Sequence, residues 1–236
     1  MCPPGAKRFI ERQFKTQDLS GRTVLEVGSA DPECWVRNLV VALRPEQYTG
    51  VDVVPGPGVD VLCRAERLLD RFAPGSFDMV ITTEVLEHVR DWRAVVHNLK
   101  TVLRENGVLI ATTRSPGFAF HGFPLDFWRF TPEYICEIFG DLEVADVEGD
   151  TEDPPGVFFR ARRPRSFAER NLDDYRLYSV VRRRRARTLT RLDVAAAYGL
   201  LAGQVLVSHV LPLRVRSQIR QAIDRYSGVA DRKADR

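Results

Sequence analysis

The sequence has no CxxC pair. Its four cysteines, Cys2, Cys34, Cys63 and Cys136, stand far apart, with no run of histidines nearby. That spacing excludes a zinc-finger type of site and a disulfide framework, and leaves reduced thiols in a cytoplasmic protein as the expectation. An excess of charge of one sign is also missing. Lys plus Arg number 35 against 32 Asp plus Glu, a net +3, too little to argue for nucleic acid. The N-terminal MCPPGAKRF carries no apolar run of the kind a signal peptide needs, so none is expected. No internal repeat is visible. Wholesale disorder is excluded, because aliphatic and aromatic residues at 44% are normal for a globular chain.

What is present alternates. TVLEVG (23–28) reads as a buried strand, followed by a helix over 32–43 with Asp31 as cap and Pro32 at its first position. YTGVDVV (48–54) and VDVLC (59–63) are strands separated by the turn PGPG, and AERLLDRF is helical. FDMVITT (77–83) is a fourth strand. WRAVVHNLKTVL (92–103) is a helix with apolar residues at helical spacing, closed by Asn106 and Gly107, and VLIATT (108–113) is a fifth strand. After a long loop (114–130), TPEYICEIFG is a helix capped by Thr131, and strands near 142–148 and 156–162 complete a seven-stranded set. Strands alternating with helices imply an α/β fold with a doubly wound, mostly parallel sheet covered on both faces. The domain then runs over 1–164, and 165–236 form an arginine-rich, partly apolar helical extension.

The first loop sets the chemistry. In such a sheet, ligands bind at the carboxyl ends of the strands. Gly28 lets backbone approach a ligand closely, since any Cβ would intrude. A dinucleotide loop needs further glycines for a pyrophosphate, which this loop lacks, and Glu26 beside it disfavours an anion. A cationic, amino-bearing ligand without phosphate fits better, which describes S-adenosylmethionine. Asp52 ends the second strand, where an acidic side chain accepts ribose hydroxyls.

The ordered set VLEVGSADPE, YTGVDVVPGPGVDV, SFDMVITTEVLEHV and LKTVLRENGVLIATT, over roughly residues 20 to 150, resembles the class I S-adenosylmethionine-dependent methyltransferases. The subgroup indicated carries EVLEH (84–88) and HGFPLDFWRFTPE (121–133). The resemblance implies a Rossmann-like domain with S-adenosylmethionine as cofactor. It implies cofactor roles for Glu26, Gly28, Ser29, Asp52, Val53, Ala65, Glu66, Thr83 and Glu84. Two positions depart from it: Ala30 and Pro32 replace common glycines, and Arg64 stands where many relatives have an aspartate for the adenine.

Methyl transfer to a hydroxyl needs alignment of the acceptor, exclusion of water and removal of a proton. His88 and His121 are the catalytic candidates, with Asp126 available to orient an imidazole. His88, at what reads as a helix start, is equally well read as structural, and His97 is read as structural. Asp126, Arg129 and Trp128 are candidate acceptor-binding residues, the first two alternatively an ion pair that fixes the loop. Phe118, Phe120, Phe123, Phe127 and Trp128 form either a sugar-stacking wall or core. No metal ligands are assigned: no adjacent aspartate pair follows the fourth strand, so Mg2+ is possible but not indicated, and metal dependence stays open.

Residues 165–191 read as an exposed helix or linker, with RRRRAR at Arg182–Arg187 a solvated face. LDVAAAYGLLAGQVLVSHVLPL (192–213) is long enough to span a bilayer. Gln204, Ser208, His209 and Pro212 argue instead for a packing or dimerising helix, or for contact with a membrane surface. RVRSQIRQAIDRYSG reads as a basic amphipathic helix. The acceptor expected is a hydroxyl of a sugar, glycolipid or polysaccharide precursor, with a lipid or quinone hydroxyl as the alternative. A cofactor-binding scaffold and an RNA methyltransferase are the readings from other classes.

Overall fold

The computed structural model describes residues 3–15, 18–122, 125–150 and 155–210, with side chains as far as residue 205. Cys2, Phe123, Pro212, the side chains of Ser208 and His209, and the basic amphipathic stretch therefore lie outside the described residues.

The strands are β1 (Thr23–Val27), β2 (Gln47–Asp52), β3 (Val61–Leu62), β4 (Phe77–Thr83), β5 (Leu103–Arg114), β6 (Trp128–Arg129), β7 (Glu143–Gly149), β8 (Gly156–Arg162), β9 (Leu177–Ser179) and β10 (Arg184–Ala186). The helices are α1 (Pro4–Phe14), α2 (Trp35–Val41), α3 (Trp92–Val102), α4 (Pro132–Ile138) and α5 (Arg191–Val210). Seven strands form one sheet in the order β3-β2-β1-β4-β5-β8-β7. The central pairs are parallel, and β8 runs antiparallel to both β5 and β7. This is the Rossmann-like arrangement expected. Its strand order reverses between β1 and β4, so the cleft for a ligand opens at their carboxyl ends.

Both faces of the sheet are covered, which is why β1, β4 and β5 are nearly continuous apolar runs. One core layer packs Leu25, Val80 and Leu109 against Val95, Val96 and Leu99 of α3. The other packs Val24, Met79 and Ile81 against α1 and α2. Helix α1 was not anticipated from the sequence. It starts with Pro4, whose missing N–H costs nothing there, and buries Ala6, Phe9, Ile10 and Phe14 at helical spacing.

Several boundaries move for local reasons. Helix α2 begins at Trp35, not at Pro32, because Cys34 is left-handed (φ 48°), and Asp31 reaches forward to accept from Trp35 N–H at 3.4 Å. Helix α3 ends at Val102, where Leu103 turns extended. Asn106 and Gly107 do not close it. Asn106 (φ 61°) lies in β5, where the register with β4 shifts. Thr131 does cap α4, accepting from Tyr134 N–H, worth about 1 kcal/mol.

Residues 165–190 are neither a helix nor a plain linker. They carry β9 and β10: β9 pairs with β6 on one side and with β10 on the other, in a three-stranded antiparallel sheet. Leu172, Leu177, Ala186 and Leu189 join the same core as β4 and α3, so the packing is continuous across Pro164. Arg182 pairs with Asp193 of α5 rather than standing free. Helix α5 itself docks on this body. Ala197 is fully buried, and Gln204 donates to the Phe120 carbonyl. Leu192, Tyr198, Leu200 and Val205 remain exposed. Among the described residues, no helix is long and apolar enough to cross a membrane.

Candidate functional site

The cleft is built from three strand ends. Gly28 follows β1 with φ 89°, and an added Cβ would lie 2.2 Å from Val85 Cγ2. A side chain is thus excluded twice, by conformation and by space. Ser29 is buried behind it, and its hydroxyl has no hydrogen-bond partner among the described residues. Asp52 ends β2. One carboxylate oxygen accepts from Ala30 N–H at 3.0 Å, the other from Val53 N–H at 2.6 Å and Val54 N–H at 3.2 Å. Asp52 therefore ties the β1 loop to the β2 turn, and Val53 itself is exposed.

Glu26 is buried one turn of strand below. Tyr48 donates its hydroxyl to it. Burial first, and then the charge of Asp31, push the Glu26 carboxyl up to about 8. A cationic head group arriving here would favour the ionised carboxylate. Ala65 is buried, and its carbonyl accepts from Asn98 at 2.9 Å. Glu66 pairs with Arg64 at 3.3 Å, so the arginine at the departing position has an acidic neighbour of its own. The orphaned Ser29 hydroxyl and the glycine-lined approach fit the cofactor that the sequence implies.

The end of β4 carries a second group of polar side chains. Thr83 is half-buried at its tip. Glu84 adopts φ 57°, an unfavourable conformation for a residue with a side chain. It accepts from Thr112 Oγ1 at 2.8 Å and pairs with Arg114. Burial, then the nearby Glu87 charge, raise its carboxyl to about 7. Glu87 is completely buried. One oxygen accepts from Thr113 Oγ1 at 2.8 Å, and the other, Oε1, has no hydrogen-bond partner among the described residues. Burial raises its carboxyl too.

EVLEH forms a turn rather than a helix start, with His88 N–H bonded back to Val85 O. His88 Nδ1 lies 2.6 Å from the Leu125 carbonyl, which fixes that nitrogen as the protonated donor. Its Nε2 lies 3.8 Å from Glu87 Oε1. Burial lowers the His88 pKa, so the ring is neutral near neutral pH.

The loop that precedes β6 brings His121 onto this turn. The His88 and His121 rings meet edge to face at 4.8 Å, with Phe118 against the other side of His121 at 4.7 Å. Asp126 orients His121 as expected, accepting from its Nδ1 at 3.0 Å and from its backbone N–H at 2.9 Å. Burial alone would raise the Asp126 carboxyl, but bonds from Arg129 and His121 hold it below the usual range.

Three acceptor-binding expectations are corrected here. Asp126, Arg129 and Trp128 are fully buried, so none presents a surface to an acceptor. Arg129 bonds both Asp126 oxygens and the carbonyls of Phe118 and Ala119. Trp128 donates its indole N–H to Val89 O at 2.9 Å. The ion-pair reading holds: these residues shape the loop. Of the aromatic wall, Phe118 borders the site, whereas Phe127 joins the core. His97 pairs with Glu169 at 2.7 Å, away from the cleft.

Sequence reading missed Glu87 and the threonines at the end of β5. The signal was the second acid of EVLEH, which the search for adjacent aspartates passed over. Among the described residues, Glu87, His88 and His121 bring donor atoms within 4.8 Å of one another, a set able to hold a metal ion.

Comparison with known proteins agrees with this fold. A family model described as a methyltransferase domain matches residues 3–146. Two curated relatives are named ubiquinone biosynthesis O-methyltransferase. That of Chromobacterium violaceum is 30% identical over 118 residues, covering 44% of this chain and 48% of the relative. That of Idiomarina loihiensis is 32% identical over 118 residues, covering 44% and 46%. The chain spans about half the length of the curated relatives it matches. Among solved structures, a 1,6-didemethyltoxoflavin-N1-methyltransferase of Burkholderia thailandensis superposes with TM-score 0.52 at 15% identity, over 67% of this chain and 78% of that one. The [4+2]-cyclase SpnF gives 0.52 at 16% identity, over 68% and 81%. At such identities the likeness concerns the fold alone.

Proposed function

The chain belongs to the methyltransferase domain family, and on that premise we propose that it transfers a methyl group from S-adenosylmethionine to a ring hydroxyl of a quinone precursor. The observation that carries the reading is the His88–His121 pair, both rings held by their Nδ1 atoms at the mouth of the cofactor cleft.

Gly28 and Ser29 would receive the amino-acid portion of the cofactor, with Glu26 beneath its ammonium group. Asp52 would accept the ribose hydroxyls, and Ala65 with Glu66 would border the adenine. Bound there, the cofactor supplies a methyl group on a positively charged sulfur, which departs as a neutral thioether when an oxygen takes the methyl. Orientation through Nδ1 leaves each Nε2 as the ring atom free to accept a proton. His121 Nε2, on the half-exposed ring, takes the hydroxyl proton as the oxygen forms its bond to carbon. Phe118, packed against His121 and under the Arg114 guanidinium, helps to fix that ring.

The curated relatives favour the quinone acceptor over the sugar, glycolipid or polysaccharide hydroxyl expected from the loop sequence. The test is turnover with labelled cofactor on dihydroxylated aromatic quinone precursors, with sugars, glycolipids and RNA in parallel. Methylation of the aromatic compounds alone supports the reading. Methylation of a sugar instead would restore the carbohydrate acceptor. Cofactor binding without turnover of any class would favour a scaffold.

A further inference from the structure

Two buried arginines frame the loop that carries His121, and the protein uses them in opposite ways. Arg129 is saturated from within: both oxygens of Asp126 and the carbonyls of Phe118, Ala119 and Trp128 accept from it. Arg114, at the end of β5, is only 6% exposed, yet its guanidinium donates no hydrogen bond among the described residues. Nε is buried beside Glu84 Oε2, an ion pair whose geometry closes no hydrogen bond, and neither terminal nitrogen has a partner among the described residues. Donors on so deeply buried a cation are costly to leave unmet.

The position of this side chain is well fixed. Arg114 pairs with Gly156 of β8, and its carbonyl accepts from Phe130 N–H at 2.8 Å. The guanidinium lies over Phe118, with Cζ 4.2 Å from the ring centroid. The His121 ring meets the same phenylalanine edge to face, at 4.7 Å between centroids. One aromatic ring therefore separates a set of unmet donors from the imidazole that takes the acceptor's proton.

An anionic group is a poor match for these donors. Glu84 already stands beside the cation, with Glu87 near Glu84 and Asp126 near Glu87. An incoming carboxylate or phosphate would meet three carboxyl groups against the guanidinium groups of Arg114 and Arg129. A neutral hydroxyl or carbonyl oxygen avoids that repulsion, and a hydrogen bond to it from a charged donor is strong.

We propose that Arg114 selects the methyl acceptor, donating from its terminal nitrogens to a second, neutral ring oxygen next to the hydroxyl that is methylated. This rests on the transfer to an aromatic hydroxyl proposed above and adds which rings are chosen: those with two neighbouring oxygens over those with one. The reacting hydroxyl gives its proton to His121 Nε2 as its oxygen bonds the methyl carbon and the carbon–sulfur bond breaks, releasing the neutral thioether. Arg114 stays protonated throughout and transfers nothing. Two hydrogen bonds and two neighbouring oxygens span about 8 Å from nitrogen to nitrogen. Contacts of 4.2 and 4.7 Å about one phenylalanine ring allow that separation. A site that hydrogen-bonds a substrate oxygen rejects the analogue lacking it, because its buried donors are then left unmet.

The experiment compares kcat/KM for an alkylcatechol and for the alkylphenol that lacks its second hydroxyl, using the full chain and labelled cofactor. The wild type should prefer the catechol roughly 10- to 100-fold, and Arg114→Met should bring that ratio close to one. The second hydroxyl also changes the acidity of the first, so the collapse of the ratio in the variant decides, not its size in the wild type. An arginine that only braces Phe118 and His121 would, when replaced, lower both activities by the same factor. That result, or a wild-type ratio near one, would overturn the proposal. Should Arg114→Met strand Glu84 and fail to fold, as its melting curve would show, Arg114→Lys keeps the charge beside Glu84 without the planar fork. The lysine variant should cut the ratio at least about threefold, and an unchanged ratio there is equally fatal. Failure of the aromatic acceptor is seen separately: if a sugar is methylated and the rings are not, the ratio is read on that sugar and its deoxy analogue. If no compound is turned over, calorimetric binding of the catechol and the phenol to the S-adenosylhomocysteine complex supplies the ratio, and no preference there removes Arg114 from acceptor selection.

Discussion

Arg129 grips both oxygens of Asp126 through separate nitrogens, and neither side chain reaches solvent. The pair is the keystone of the 118–129 loop, because Arg129 also holds the Phe118 and Ala119 carbonyls, and Asp126 holds His121. Replacing Arg129 with Leu leaves a buried carboxylate without its counter-charge, expected to cost about 3–5 kcal/mol. Urea unfolding of Arg129→Leu against the wild type checks this. A loss under about 1 kcal/mol would mean that water reaches Asp126 and that the loop does not depend on the pair.

Gly28→Ala should abolish cofactor binding with the sheet intact. The new methyl would lie 2.2 Å from Val85 Cγ2 at φ 89°, so the β1 loop must shift just where the ligand enters. The readout is the melting-temperature rise on adding S-adenosylhomocysteine. At a ligand concentration of 100 times Kd, the wild type should gain about 2.7 kcal/mol, or roughly 5–10 °C. A variant that keeps the whole rise would remove Gly28 from the cleft.

Asp52 offers a parallel test with a different signature. Its carboxylate already accepts from Ala30, Val53 and Val54 N–H groups, so Asp52→Ala should lower the stability of the free protein by about 1–3 kcal/mol. The ribose assignment predicts a further loss, of most of the ligand-induced rise. A lowered baseline with an undiminished rise would leave Asp52 a purely structural role.

The order and type of the central elements were legible in the chain. The run FDMVITT gives β4 without a residue's error, and Thr131 caps α4 where its sequence places it. What escaped depended on distant partners. RRRRAR reads as a solvated face, and Arg183, Arg184, Arg185 and Arg187 are indeed exposed, but nothing nearby discloses that Arg184–Ala186 form β10 against β9. Asp126 and Arg129 are short-range neighbours whose burial follows from the packing around them, so their sequence spacing could not separate an ion pair from an acceptor site. Glu87 was hidden for the opposite reason: it adjoins the noticed His88, but its value lies in meeting His121 across a loop.

Glu26 should make the free protein's stability fall as pH rises through the neutral range. Burial raises its folded carboxyl to about 8, against 4.5 for the ordinary group. Between those values the unfolded chain has released the proton while the folded chain retains it. Folding therefore weakens with rising pH across that window and levels off above it. Asp31, Asp52 and Asp60 act in the same direction, and Arg37 opposes them. Glu26→Gln keeps an acceptor for Tyr48 and removes the titration. Its stability should exceed that of the wild type increasingly from pH 5 to 8, as measured by urea unfolding at each pH. Parallel curves for the two proteins would show that the carboxyl ionises normally inside the fold.

Helix α5 should act as a brace on the loop that carries His121. Gln204 donates to the Phe120 carbonyl, Leu201 lies so close that a Cβ on Gly122 would meet it at 2.4 Å, and Ala197 is buried in the main core. Ending the chain after Thr190 removes these contacts but keeps β9 and β10. Hydrogen exchange should then speed up in residues 118–122 while the β4 and β5 amides stay protected, because the sheet retains its own partners. Ending the chain after Pro164 should do far more. It strips Leu172, Leu177, Ala186 and Leu189 from the core and leaves β6 unpaired, so cooperative unfolding should be lost. If the shorter chain instead melts as sharply as the full one, the segment after Pro164 is an appendage and the continuous packing across it contributes nothing. If exchange in 118–122 is unchanged without α5, the Asp126–Arg129 pair alone holds the loop.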